Sequence, residues 1–201
     1  MKTQMRFQKI LILISLIVAA LSFVYALSFC GGTIYQYQEF YDPVRDEADF
    51  EGIAELVRAS QHYNDILVWL SIVFILVVVL NYVMATNKRR NYYVTNYISI
   101  ILTVVYAVVF AALIILFVVN TYSLFILVDR VEVGEVYAEI NGKFNYSTIN
   151  FILGYIMAGV IVVDAALLVF NLVWKVKLMK GEKKLLAAQP VQSEEKAEEA
   201  V

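Results

Sequence analysis

Four long apolar runs constrain this chain more than any other feature of its sequence. They are residues 10–29, 66–84, 97–119 and 151–174. An α-helix rises about 1.5 Å per residue, so each run can cross the roughly 30 Å hydrocarbon core of a bilayer. The runs lack the two-residue alternation of barrel strands, and an open strand edge cannot be satisfied in lipid. We therefore predict an all-α integral membrane protein, a bundle of four transmembrane helices.

The composition supports a membrane protein and argues against soluble functions. Apolar residues make up 61% and charged residues 17% of the 201 residues, proportions that a soluble domain of this size does not have. His62 and Cys30 are the only histidine and the only cysteine, which disfavours His-based metal centres, Ser-His triads and thiolate metal sites. Basic residues are not interleaved with aromatic ones, so nucleic-acid binding is not expected. We predict a protein that is not an enzyme and that has no cofactor.

The distribution of positive charge predicts the orientation of the chain. Twelve of the sixteen Lys and Arg residues lie in three segments, the N-terminus 1–9, the connection 85–96 and the tail 175–201. Cytoplasmic flanks of membrane spans retain Lys and Arg. We therefore predict a cell-membrane protein with both termini in the cytoplasm, and with residues 30–65 and 120–150 on the extracytoplasmic side.

The first apolar run and the basic segment before it are also typical of the start of a secretory signal. Val24, Tyr25 and Ala26 offer a small-residue cleavage pattern. The run is longer than the roughly 7 to 15 apolar residues of a signal core, and cleavage would leave three spans with termini on opposite sides. We interpret it as a retained span, with a cleaved signal as the alternative.

The first extracytoplasmic connection is strongly acidic. Asp42 followed by Pro43 is a favourable helix start, and apolar residues then recur at helical spacing. We predict an amphipathic helix over 43–62. An EF-hand spacing begins at Glu47, but Arg58 stands where a bidentate carboxylate is required. The sequence therefore predicts no calcium site there.

The second extracytoplasmic connection carries a turn signal. Asn141 and Gly142 lie between alternating apolar residues, a pattern typical of a short β-hairpin. Asn145, Tyr146 and Ser147 match the glycosylation sequon. We predict a short hairpin at this position and leave the occupancy of the sequon open.

The C-terminal segment 175–201 is basic at first and acidic later. Its lysines between 175 and 184 can contact anionic headgroups. From Ala187 onward the segment has too few apolar residues to form a core by itself. We predict a disordered cytoplasmic tail.

Asp164 is the only formal charge inside the four runs, and a carboxylate at that depth costs a few kcal/mol. Asn150 and Asn171 lie fourteen residues before it and seven after it, so the three share a helix face to within about 60°. Tyr106 lies at a similar depth in the third run, and we predict that its hydroxyl donates to Asp164. Asn81 and Asn171 are each three residues from an inner end, which predicts a second pair. These five residues form the predicted polar seam.

Small residues in the third and fourth runs predict close helix packing, because they let backbones approach. They are Ala107, Ala111, Gly154, Ala158 and Ala165.

Two functional hypotheses follow from these features. The first is a non-enzymatic accessory, scaffold or assembly subunit that contacts lipid and other membrane proteins or copies of itself. The alternative is a small transporter, channel or transport subunit in which Asp164 binds a proton or a cation. The first treats Asp164 as a hydrogen-bonded residue that fixes helix register, and the second treats it as a carrier.

Overall fold

The computed structural model describes four stretches of the chain, and all four are α-helices. They are α1 (Lys2–Gly31), α2 (Glu51–Thr86), α3 (Val94–Arg130) and α4 (Ser147–Glu198). Side chains are described over residues 3–28, 59–85, 95–123, 149–182 and at 184. Within these limits the protein is an all-α four-helix bundle, so the predicted fold class is confirmed at this level.

Each helix contains a segment that is long and apolar enough to cross a bilayer. The segments are Thr3–Ser28, Ala59–Ala85, Thr95–Ser123 and Ile149–Glu182. An α-helix makes all its backbone hydrogen bonds within its own segment, so its apolar faces can lie against lipid. The chain is therefore a multi-pass membrane protein with four candidate spans.

The helices associate through buried positions spaced alternately by three and four residues. On α2 these positions are Ser60, Asn64, Leu67, Ser71, Phe74, Val78, Asn81 and Ala85. This spacing keeps one stripe of a helix facing its partners, and it is typical of bundles whose helices cross at about 20°. The stripe includes polar residues as well as apolar ones, so polar side chains lie in the interior of the bundle.

Sequential helices pack side by side, and α4 also packs against α1, so the four helices form a closed ring. Asn81 near the end of α2 contacts Thr103 near the start of α3. Tyr25 near the end of α1 contacts Asn150 near the start of α4. Neighbouring helices therefore run antiparallel, as expected for an up-and-down bundle.

Aromatic rings fill the interface between α2 and α3. Phe74 is fully buried, and its ring centroid lies 5.6 Å from that of Tyr106 and 5.6 Å from that of Phe110. Such offset ring pairs add roughly 0.5–1.5 kcal/mol to the burial of their apolar surface.

The outward faces of the helices are covered by large apolar side chains. Ile10 and Ile17 of α1, Leu76 of α2, Val105 of α3 and Val163 of α4 are each more than half exposed. In water such a surface would aggregate, whereas in a bilayer it contacts acyl chains. The exposed surface thus agrees with the candidate spans.

The C-terminal part of α4 differs from its prediction. The helix continues through Glu198, where the sequence predicted a disordered tail from Ala187. Ala, Glu, Lys, Gln and Leu dominate this segment and are strong helix formers. The long preceding helix also removes the nucleation cost that an isolated peptide would meet.

Two predictions fall wholly or partly outside the described residues. The start of the amphipathic helix predicted over 43–62 lies outside them, and the described part of α2 begins at Glu51. The hairpin predicted around Asn141 and Gly142 lies in the gap between α3 and α4. Both stay predictions.

Candidate functional site

Polar side chains inside the bundle form the candidate functional site. Fifteen polar or charged residues of the described part are buried, and they are Gln4, Gln8, Ser15, Ser22, Ser60, Asn64, Ser71, Asn81, Asn96, Ser99, Thr103, Thr121, Asp164, Asn171 and Lys175. Burying a polar group in an apolar medium is costly unless it finds a hydrogen-bond partner. Their partners therefore indicate what this interior does.

Asp164 of α4 lies in the middle of the bundle and is 3% exposed. Ser15 of α1 donates a hydrogen bond from Oγ to Asp164 Oδ1 at 2.9 Å. The other carboxylate oxygen, Oδ2, is buried and has no hydrogen-bond partner among the described residues. One side of the carboxylate is thus anchored to α1, and the other makes no hydrogen bond within the described residues.

The Ser15 hydroxyl lies between two acceptors. Its Oγ is 3.1 Å from the carbonyl oxygen of Leu11, one turn earlier on α1, as well as 2.9 Å from Asp164 Oδ1. A serine hydroxyl has one proton and two acceptor lone pairs. It can therefore donate to the Leu11 carbonyl oxygen while it accepts a hydrogen bond from a protonated Asp164 carboxyl group. Alternatively, it can donate to an ionised Asp164 carboxylate. The geometry is compatible with both protonation states of Asp164.

An apolar layer separates Asp164 from the polar groups nearer the end of α4. Leu11 and Ile12 fill the turn of α1 before Ser15, and Leu168 fills the turn of α4 after Asp164. Each of these three side chains is at most 2% exposed. The polar residues along α1 and α4 are therefore arranged in two clusters and not in one continuous column.

The second cluster is centred on Lys175, which is 2% exposed. Lys175 Nζ donates to Asn96 Oδ1 of α3 at 2.6 Å and lies 4.6 Å from the centroid of the Tyr97 ring. A charge-assisted hydrogen bond and a cation–π contact are each stronger when desolvated. Tyr97 also donates to the sulfur of Met179, one turn further along α4. These contacts join α3 to α4.

A chain of amides connects the same cluster to α1. Gln8 Nε2 donates to Asn96 Oδ1 at 3.3 Å, and Gln4 Nε2 donates to Gln8 Oε1 at 3.2 Å and to Asn171 Oδ1 at 3.0 Å. Lys175 has no acceptor atom, so it fixes the orientation of the Asn96 amide and, through it, those of the glutamines. We call the cluster formed by Gln4, Gln8, Asn96, Asn171 and Lys175 the lysine cluster.

The lysine cluster has more donors than acceptors. The Nδ2 atoms of Asn96 and Asn171 are buried and have no partner among the described residues. The amide orientations set by Lys175 leave these two N–H groups pointing away from the oxygens already bonded. A water molecule or another acceptor would complete both groups.

A third group of polar contacts joins α2 to α3. Asn81 Nδ2 donates to Thr103 Oγ1 at 3.2 Å, and Ser99 Oγ donates to Asn81 Oδ1 at 3.3 Å. All three side chains are buried. Asn81 therefore uses both the nitrogen and the oxygen of its amide to hold α2 against α3. Each interhelical hydrogen bond in a membrane contributes about 0.6–2 kcal/mol to stability.

Both predicted hydrogen-bonded pairs are wrong. The Tyr106 hydroxyl donates to the Leu70 carbonyl oxygen of α2 at 2.7 Å and not to Asp164. Asn81 bonds Ser99 and Thr103, while Asn171 accepts from Gln4, so these two asparagines are not paired. The depth of a residue along a helix does not determine which neighbouring helix its side chain faces.

The remaining residue of the predicted seam, Asn150, lies at the other end of α4. It is half-buried, and its backbone carbonyl accepts the Tyr25 hydroxyl of α1 at 3.3 Å. This contact is distant from Asp164 because fourteen residues of helix span about 21 Å. The structure thus brings Asp164, Asn171 and Lys175 onto one buried face, with Asn150 near the opposite end.

The five small residues predicted to allow packing are all inside the bundle. Ala107, Ala111, Ala158 and Ala165 are at most 3% exposed. Gly154 is also buried, and a Cβ atom built there would collide with the Tyr25 hydroxyl of α1 and with Val118 of α3. These residues therefore serve contacts within this chain.

Several members of the site are not among the predicted residues, although the sequence contains a signal for them. Gln8, Ser15 and Ser22 recur every seven residues in α1, and Asn96 and Thr103 do the same in α3. A polar residue repeated at this interval in an apolar helix indicates the face that points inward. Gln4 and Gln8 lie in the basic segment 1–9, which the distribution of positive charge places outside the predicted spans.

The buried polar residues form hydrogen bonds between helices and include one carboxylate, that of Asp164. Among the described residues they form no recognisable catalytic arrangement. In that part of the chain no three His, Cys, Asp or Glu side chains lie close enough together to hold a metal ion. Comparison with protein-family models, with curated proteins and with solved structures finds no match to this chain.

Proposed function

We propose that this chain is a non-enzymatic multi-pass membrane protein that acts as an accessory, scaffold or assembly subunit through contacts of its helices and connections. Its partners would be the lipid bilayer and other membrane proteins or copies of itself. The observation that carries the proposal is the pairing of buried polar side chains across helices. Ser15 bonds Asp164, Gln4 bonds Asn171, and Lys175 bonds Asn96.

This pairing supports a structural function because it uses the reactive side chains to hold helices together. The lysine cluster joins α1, α3 and α4, and Asn81 joins α2 to α3. Buried polar contacts of this type fix the register of helices, since each alternative register leaves polar groups unpaired. A rigid bundle with one register is suited to presenting a constant outer surface.

The outward face of α4 is the surface we propose for a partner helix. The small residues that face inward are not available for this purpose, but Gly159 and Ala166 are exposed and lie seven residues apart. A Cβ atom added at Gly159 would meet nothing within 4 Å. Small residues at such spacing let a neighbouring helix approach closely, and van der Waals packing then drives association in lipid.

The experiment is to extract the protein from its native membrane directly into lipid nanodiscs and to measure its mass by mass photometry. We expect an oligomer or a complex with a second membrane protein, identified by affinity purification. Gly159→Leu should shift the distribution towards the monomer because the larger side chain blocks close approach. Ile156→Leu, an exposed apolar exchange on the same helix, is the matched control and should leave the assembly unchanged.

A strictly monomeric wild-type protein, confirmed by crosslinking in the native membrane, would contradict the proposal. Retention of the complex in Gly159→Leu would place the partner on another surface and would overturn the assignment to α4.

The proposed orientation has both termini in the cytoplasm, with the acidic helix over 43–62 and the hairpin around Asn141 on the extracytoplasmic side. Antiparallel packing brings the start of α1 and the Lys175 end of α4 to one end of the bundle. The basic residues with described side chains are Arg6, Lys9, Lys175, Lys177, Lys180 and Lys184, and all belong to that end. Such asymmetry supports the orientation, because cytoplasmic ends retain positive charge.

A second function, transport of a proton or a cation, is supported by one specific observation. Asp164 Oδ2 is buried without a partner among the described residues, and an oxygen in that state is open to a proton or a metal ion. The apolar layer of Leu11, Ile12 and Leu168 would then have to move to admit the ion. Flux measured in proteoliposomes tests this function, and Asp164→Asn should abolish it while expression stays normal.

A further inference from the structure

The outward face of α4 changes from apolar to basic within a single helical turn. Its exposed residues at alternating spacings of three and four are Phe170, Val173, Lys177, Lys180 and Lys184. Phe170 is 59% and Val173 is 47% exposed. Side chains so spaced lie on one stripe of a helix, so the apolar surface is followed directly by three ammonium groups.

A shallow groove lies where the stripe changes character. It is lined by Phe170, Val173, Trp174 and Lys177. The Trp174 ring is in contact distance of Phe170, with centroids 6.3 Å apart, and of Phe7 on α1, with centroids 5.8 Å apart. These two contacts hold the indole at the side of the groove. The groove therefore has a fixed aromatic wall, an apolar floor and a lysine at one end.

We propose that this groove binds one anionic phospholipid, with the phosphate on Lys177 and an acyl chain along Phe170 and Val173. Tryptophan is favoured at the headgroup level of a bilayer. A basic residue adjacent to the membrane attracts an anionic headgroup with about 1 kcal/mol. The inference goes beyond the proposed function, because it requires neither a protein partner nor transport.

Lys177 is the residue that confers charge specificity on this groove. The neighbouring Lys175 points into the bundle, where Asn96 accepts its hydrogen bond, so its ammonium group does not reach the outer surface. Lys177 is exposed, and its alkyl stem can follow the apolar surface while the charge stays at the headgroups. Lys180 and Lys184 extend the same positive surface away from the hydrocarbon core.

Trp174 allows the site to be tested by fluorescence, because brominated acyl chains quench a tryptophan that they touch. The chain has two tryptophans, so Trp69→Phe leaves Trp174 as the single reporter. The full-length variant is placed in bilayers of unlabelled lipid that contain a minor fraction of brominated phosphatidylglycerol or brominated phosphatidylcholine. We expect the apparent local excess of the anionic lipid at Trp174 to be about fivefold, the factor that 1 kcal/mol gives at 25 °C.

Lys177→Gln should abolish the local excess of anionic lipid at Trp174, so that the two brominated lipids quench about equally. The fluorescence of the protein in unlabelled lipid should not change. Lys9→Gln is the matched control. Lys9 belongs to the same end of the bundle but lies about 200° around α1 from Phe7. The Lys9→Gln substitution therefore removes one positive charge without changing the groove. Native mass spectrometry should show the same pattern, with one anionic lipid retained by the wild type and by Lys9→Gln but not by Lys177→Gln.

Equal quenching by the two brominated lipids in the wild type would overturn the proposal. Equal loss of preference in Lys177→Gln and Lys9→Gln would also overturn it, because general attraction of the basic end to anionic bilayers would then explain the result. Neither result depends on whether the protein forms a complex.

Discussion

Ser15 of α1 and Asp164 of α4 are joined by a hydrogen bond of 2.9 Å in the middle of the bundle. The two helices meet at this point between buried apolar layers, with Leu11, Ile12 and Leu168 on one side. A single polar pair in such surroundings opposes sliding of one helix along the other. Any shift by one turn would leave both groups in an apolar environment.

Coupling between these two residues can be measured by a double-mutant cycle. We expect Ser15→Ala and Asp164→Ala to be non-additive by about 0.6–2 kcal/mol in the free energy of unfolding, measured by SDS titration. Ser22→Ala is the control, because Ser22 is buried one heptad away and donates to the Val18 carbonyl. Its cycle with Asp164→Ala should be additive, and similar coupling energies in the two cycles would disprove a specific bond.

Gly154 should tolerate no side chain. In Gly154→Val the added atoms meet the Tyr25 hydroxyl and Val118, so we expect destabilisation by about 1–3 kcal/mol, the cost of overpacking a filled interior. Gly159→Val on the same helix has open space around it and should unfold at nearly the wild-type SDS concentration. If Gly154→Val is as stable as Gly159→Val, the close approach of α1, α3 and α4 at Gly154 is not present.

Asn96 should be more important for stability than its exposed neighbour. Asn96→Ala removes an acceptor that both Lys175 Nζ and Gln8 Nε2 use, and one of these two buried donors is charged, so we expect a loss of about 2–4 kcal/mol. Thr95→Ala, at an exposed position, should change stability by less than about 0.5 kcal/mol. Thermal melting in detergent compares the two, and equal melting temperatures would refute the lysine cluster as a structural element.

The orientation can be checked with single cysteines in intact cells. In a Cys30→Ser background, Asp46→Cys should react with a membrane-impermeant thiol reagent, because residues 30–65 are predicted to be extracytoplasmic. Ala200→Cys should react only after the membrane is permeabilised. Labelling of position 200 in intact cells would reverse the proposed orientation.

The sequence was sufficient for the four helices because apolar runs of spanning length have few alternative structures in a bilayer. It also placed Asp164 and Asn171 on one face of α4, since helical periodicity fixes angles within a single helix. The structure shows both side chains buried. What periodicity does not contain is the rotation of each helix about its own axis relative to its neighbours.

That missing information explains the two incorrect pairs. Tyr106 is at a depth similar to that of Asp164, yet its hydroxyl faces α2 and bonds Leu70. Asp164 faces α1 instead, where Ser15 provides the donor. A small hydroxyl is common in membrane helices, and only the seven-residue spacing of Ser15 from Gln8 and Ser22 marks it as interior.

Asp164 is the residue at which a structural function and a transport function differ most directly, and two substitutions at this position distinguish them. Asp164→Asn keeps the size and an acceptor for Ser15 but removes titration, whereas Asp164→Leu removes the acceptor. We measure the free energy of unfolding and the mass distribution of each variant in native nanodiscs. If Asp164 holds helices together, we expect wild-type assembly and stability within about 1 kcal/mol for Asp164→Asn, and a loss of about 1–3 kcal/mol with altered assembly for Asp164→Leu. The opposite result, normal behaviour of Asp164→Leu together with loss of pH-dependent ion flux in Asp164→Asn, would refute this structural function and make Asp164 a carrier.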